Sequence, residues 1–78
     1  MKLNQLKVGD RAVVTGFSQR QRGYRNKLLA MGLVIGTEIE LKRIAPLGDP
    51  IEIIVRGFSL VLRKNEADVL EIELLENK

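Results

Sequence analysis

Apolar residues recur with period two along most of this chain, and the period changes once. "RAVVTGF" (11–17) is rich in β-branched and apolar residues and reads as a strand ending near Gly16. "TEIELKR" (37–43) sets Ile39 and Leu41 on one face and Glu38, Glu40 and Lys42 on the other, the mark of a half-buried strand. "IEIIVR" (51–56) aligns Ile51, Ile53 and Val55, and "FSLVLR" (58–63) aligns Phe58, Leu60 and Leu62. Only Arg56-Gly57 separates them, which predicts a tight two-residue hairpin. "LEIEL" (70–74) alternates again, with Leu70, Ile72 and Leu74 inward. The change of period falls in "YRNKLLAMGL" (24–33). Tyr24, Leu28 and Met31 stand at i, i+4 and i+7, with Arg25, Asn26 and Lys27 opposite, so a short amphipathic helix is predicted.

Punctuation fits between these segments. "KVGD" (7–10) predicts a turn with Gly9 at its tight position, and "SQRQRG" (18–23) a polar loop. Gly32 predicts a left-handed helix C-cap, and Gly36 opens the turn before the second strand. "NEAD" (65–68) predicts one helical turn, with Asn65 as N-cap and Asp68 three residues on. Both prolines fall in "APLGDPIEI" (45–53). Pro46 suits the second position of a turn, Gly48 can take positive φ, and Asp49 is driven extended by the proline after it. Leu47 is left at the tip of a stiffened loop, either folded back onto the domain or free to dock. The expected architecture is mainly β: a small barrel of about five short strands that closes on itself, with one short helix and one helical turn, in a single domain over 1–78.

Composition narrows the chemistry. The 78 residues include no cysteine and no histidine, so a disulfide framework and a zinc site of the usual kind are excluded. The commonest general base and the thiol nucleophile are missing as well, and Ser18 and Ser59 have no histidine partner. No GxxxxGK[ST] loop occurs. Asp49 and Glu52 read as a turn residue and a solvated strand residue, not as a catalytic pair. Glu66, Asp68, Glu71 and Glu73 cluster in sequence, but Glu71 and Glu73 alternate with core positions, as on the wet face of a strand. No enzyme, no cofactor and no metal ligand set is expected. The start, MKLNQLKVGDR, has no continuous apolar stretch of the secretory kind, and no segment has the length of a membrane span. A cytoplasmic location is the expectation.

The net charge of +3 permits a nucleic-acid partner, an acidic protein face or neither. Arg20, Arg22, Arg25 and Lys27 lie within eight positions, as in a small basic RNA-binding barrel. One tyrosine, two phenylalanines and no tryptophan supply no stacking platform, with Phe58 assigned to the core. The same poverty leaves no aromatic groove for a proline-rich ligand.

"YRNKLLAMGLVIGTEIEL", "APLGDPIEI" and "FSLVLRKNEADVL" together resemble the FeoA proteins of bacterial ferrous iron transport, a resemblance that runs from about Leu6 to Leu74. One departure is Ile35-Gly36, where that family commonly carries Pro-Gly. The resemblance implies an SH3-like barrel and an accessory role toward the membrane transporter FeoB, whose cytoplasmic part is a G-protein domain. The expected mode of action is protein contact, by a monomer or weak oligomer, with no nucleic acid and no membrane insertion. Candidate contacts are Leu28, Met31 and Leu47 as apolar anchors, Arg25 and Lys27 as a polar rim, and Asp49 in the loop. Leu28 and Met31 are also the natural core residues of the helix.

Overall fold

The computed structural model describes residues 1–18 and 22–75. In chain order the elements are a 3-10 turn (Leu3–Gln5), β1 (Arg11–Phe17), α1 (Arg22–Ala30), β2 (Glu38–Ile44), β3 (Ile51–Val55), β4 (Phe58–Leu62), α2 (Lys64–Ala67) and β5 (Leu70–Leu74). The five strands form one antiparallel sheet in the order β4-β3-β2-β1-β5. Register shifts in β1 between Val14 and Gly16, and in β2 between Leu41 and Arg43, mark bulges. Bulges bend and twist a strand, and here they curl the sheet around one core. Among the described residues no ladder joins the β4 and β5 edges. The barrel that the sequence predicts is therefore open along one seam.

Alternation sets the core as the sequence predicts for most strands. Ile39, Leu41, Ile51, Ile53, Val55, Leu62, Leu70 and Ile72 are all buried. Leu28 of α1 joins them, with Tyr24 and Met31 packed against the cluster half-buried. Two predicted inward residues fail. Phe58 is 74% exposed and Leu74 is 45% exposed. Both stand at strand ends, Leu74 at the end of β5 and Phe58 beside the hairpin turn, opposite the buried Val55. Leu3 and Leu6 are core residues in a segment to which the pattern assigned no element.

The turn chemistry is met. Arg56 and Gly57 have φ of 52° and 83°, the two positive values that a two-residue type I′ hairpin requires. α1 ends in a Schellman motif: Gly32 has φ 91°, its N–H donates to the Leu29 carbonyl at 3.0 Å, and Leu33 N–H donates to Leu28 at 3.0 Å. The helix starts at Arg22, two residues before the apolar pattern does. The rest of the predicted 18–23 loop lies in part outside the described residues.

Candidate docking surface

Two exposed apolar features stand at opposite ends of β3. The first is the β2–β3 loop. Gly48 N–H donates to the Ala45 carbonyl at 2.7 Å, a turn with Pro46 at its second position, and Ala45 N–H donates to Pro50 at 3.1 Å. The Asp49–Pro50 peptide is cis. Leu47 does not fold back: it is 95% exposed. Asp49 has a longer reach than a turn residue. Its Oδ1 accepts the backbone N–H of Lys64 at 3.0 Å and so caps the first turn of α2. The predicted cap is corrected accordingly. The N-cap residue is Arg63, not Asn65. Its N–H donates to Glu66 Oε1 at 2.9 Å, and the Asp49 carboxylate serves the next amide. An orphan N–H at a helix start needs such an acceptor.

Glu66 also ties α2 to α1. Its side chain is nearly fully buried, and Oε2 meets the Lys27 ammonium as an ion pair, with no other partner for that oxygen. The bond from Lys27, together with the Arg63 amide, holds the Glu66 carboxyl below the usual glutamate range against the opposing effect of burial. Lys27 is therefore engaged within the domain. Arg25 lies with its guanidinium 5.8 Å from the Phe17 ring centroid, an exposed cation–π contact. Leu28 is fully buried. It is core, not a surface anchor, and a partner can sense it only through the fold. Arg20 lies outside the described residues.

The second feature is a groove beside the hairpin, between β4 and the C-terminal end of α1. Met31, Gly32, Val55, Phe58 and Leu60 line it, Arg56 stands at its rim, and it encloses about 530 Å³. Met31 is the one predicted anchor that borders it. A neighbouring hollow of about 560 Å³ shares Arg56 and is flanked by Val34 and Ile35, 41% and 65% exposed. The sequence reading missed this surface because it assigned Phe58 to the core. The signal was present: Phe58 directly follows a two-residue turn, where cover from neighbouring elements is least.

Among the described residues no three carboxylates converge as a metal site. Lys42 and Arg43 are paired on the sheet: both reach Glu52, at 3.4 and 3.0 Å. Among the described residues no helix is long and apolar enough to cross a membrane.

Comparison with known proteins agrees with this geometry. A FeoA-like protein from Clostridium acetobutylicum has the same fold, with a TM-score of 0.87 and 38% identity over 100% of this chain and 90% of that one. FeoA of Stenotrophomonas maltophilia, solved in complex with zinc and described as an SH3 domain protein, matches with a TM-score of 0.79 and 25% identity, over 94% of this chain and 89% of that one. A curated relative from Porphyromonas gingivalis, an Fe(2+) transport protein A/Fe(2+) transporter FeoB fusion protein, is 34% identical over 77 residues, 99% of this chain and 9% of the fusion. The chain thus spans about a tenth of that relative's length. The FeoA domain model matches residues 1–74, and with that match over an SH3-like fold the chain belongs to the FeoA domain family.

Proposed function

We propose that residues 1–78 form one FeoA-like domain, a non-enzymatic accessory of ferrous iron uptake that acts in the cytoplasm by contact with the G-protein region of a membrane FeoB transporter. The observation that carries this reading is the fusion relative, in which a segment similar to this chain is continuous with an Fe(2+) transporter. Fusion holds two domains at high effective concentration, an arrangement that suits partners which otherwise meet by diffusion. The composition supports contact over chemistry: no histidine or cysteine is present to carry iron or catalyse a reaction.

Leu47 is the loop residue best placed to act as an anchor, because its loop is already ordered and little freedom is lost on binding. Asp49 belongs to that loop and Met31 lines the groove, while Arg25 stands elsewhere on α1, over the Phe17 ring. The test is capture of the transporter's cytoplasmic region by the wild-type chain and by Leu47→Asp, with circular dichroism to confirm folding. Capture by the wild type that a folded Leu47→Asp protein loses is the expected result. Undiminished capture removes the loop from the interface, and no capture by the wild type removes the reading itself. A gel shift with random RNA at physiological salt separates the RNA-binding alternative, for which tight binding without transporter capture is required.

A further inference from the structure

The two edges of the sheet are treated differently. The β5 edge is covered by the chain's own N-terminus: Ile72 N–H donates to the Met1 carbonyl at 3.0 Å, and Lys2 Nζ holds Glu71 Oε1 at 2.5 Å. Among the described residues no strand pairs with the β4 edge, and no turn or terminus donates to it. Its sequence, FSLVL, carries no charge and no proline, and its register with β3 runs without a bulge. These are the devices by which proteins usually blunt an edge. In an antiparallel ladder the backbone groups of successive residues point alternately toward and away from the partner. Val55 and Phe58 flank the two-residue turn. Phe58, Leu60 and Leu62 therefore turn their N–H and C=O toward β3, and Ser59 and Val61 turn theirs outward. Ser59 also lines the groove beside the hairpin.

We infer that the β4 edge takes up an extended acidic–apolar segment of a partner protein as an added strand, with alternate side chains seated in the groove of Met31, Phe58 and Leu60. Strand addition draws affinity from the open backbone groups and specificity from the pocket. The charge of the occupant follows from what flanks the edge. Arg56 stands at one end and Arg63 and Lys64 at the other, and among the described residues none of the three forms an ion pair. A second copy pairing β4 to β4 about a two-fold axis would set Arg56 beside Arg63 of its mate. Like charges facing across strands are destabilising, so carboxylates on a different segment fit this edge better. The inference rests on the reading of the chain as a protein-contact module and specifies how contact is made.

The test uses the full chain, isotope-labelled, and a seven-residue capped peptide that alternates valine with glutamate. Saturable binding is expected, with the largest amide shifts at Ser59, Val61 and the Met31–Leu33 segment. The same peptide N-methylated at alternate residues keeps its side chains but cannot pair, and should bind about tenfold more weakly or worse. Lysine in place of glutamate should weaken binding comparably. Absent binding, unshifted Ser59 and Val61 amides, or equal affinity for the N-methylated peptide overturns strand addition. A dimer in sedimentation that shifts the same amides overturns the acidic occupant. Transporter capture that persists without peptide binding sinks this inference and spares the proposed function; peptide binding without transporter capture does the reverse.

Discussion

Asp49 Oδ1 accepts the Lys64 backbone N–H at 3.0 Å, fifteen residues along the chain, so the loop that displays Leu47 is fastened to the first turn of α2. The cap acts on two elements at once. It satisfies a helix N–H that Arg63 cannot serve with an acceptor of its own, and it fixes the loop that carries the exposed leucine. Asp49→Ala should destabilise the domain by about 0.5–2 kcal/mol, the usual cost of a lost N-cap acceptor. Asp49→Asn keeps a side-chain oxygen and should lose less. Urea unfolding of the three proteins checks the order, and Asn no better than Ala would mean that the charge, not the acceptor, is what counts.

Lys27 and Glu66 form the ion pair between α1 and α2. Lys27→Met leaves a nearly buried carboxylate with Oε2 unpartnered, and should cost about 1–3 kcal/mol at neutral pH. The pH dependence has a definite sign. The folded-state carboxyl of Glu66 titrates below its unfolded value, through the Lys27 bond first. Its contribution is therefore fully present above the ordinary glutamate range, about 4.3, and is lost as pH falls through the lowered folded value. The stability gap between wild type and Lys27→Met should be widest near pH 7 and close only as pH falls through the lowered folded value of Glu66. Denaturation midpoints across that range decide it; a gap that persists undiminished in acid assigns the loss to packing of the lysine stem.

The two ties differ in how they arise. Lys27 and Glu66 stand far apart along the chain and meet where α1 packs on α2, which no local pattern announces, whereas Asp49 and Lys64 extend the β3–β4 register of Ile51 with Leu62 beyond the strands. Alternation told which way Ile51, Ile53 and Val55 face, and the Arg56-Gly57 pair gave the hairpin, because both are local consequences of backbone geometry. The same alternation put Phe58 and Leu74 inside, since a period states the face and not how far the core extends along it. Of the candidate contacts, Leu47 was left open between packing and docking until its surroundings showed it exposed, and Leu28 could be resolved as core only by its neighbours.

Gly32 tests the helix stop in isolation. Its φ of 91° belongs to the left-handed region, yet a Cβ added there meets no atom within 4 Å. Gly32→Ala should therefore cost only the conformational penalty of a left-handed alanine, about 1–2 kcal/mol, with no steric term. Gly32→Asn should cost less, because asparagine enters this region more readily. Thermal unfolding compares the two; a loss well beyond that range would mean that the α1–β2 junction itself rearranges.

Leu28 and Phe58 separate fold from contact. Leu28 is fully buried beneath α1, and Leu28→Ala removes core volume that the domain cannot readily refill, at a cost of about 2–5 kcal/mol. For a domain of this size that is a large part of the total stability. Any loss of transporter capture by Leu28→Ala should therefore track the unfolded fraction, and should recover when the sample is cooled or stabilised enough to refold. Phe58 is the opposite case. At 74% exposure its truncation to serine should change stability by no more than about 0.5 kcal/mol, as for most surface substitutions. Yet Phe58 lines the groove, so Phe58→Ser should weaken capture in a protein that unfolds at the wild-type midpoint. Paired measurements of capture and chemical unfolding on both variants check this. Full capture by Phe58→Ser would take the groove out of the interface, and weakened capture by a fully folded Leu28→Ala would show that the partner reads the helix position as well as the fold.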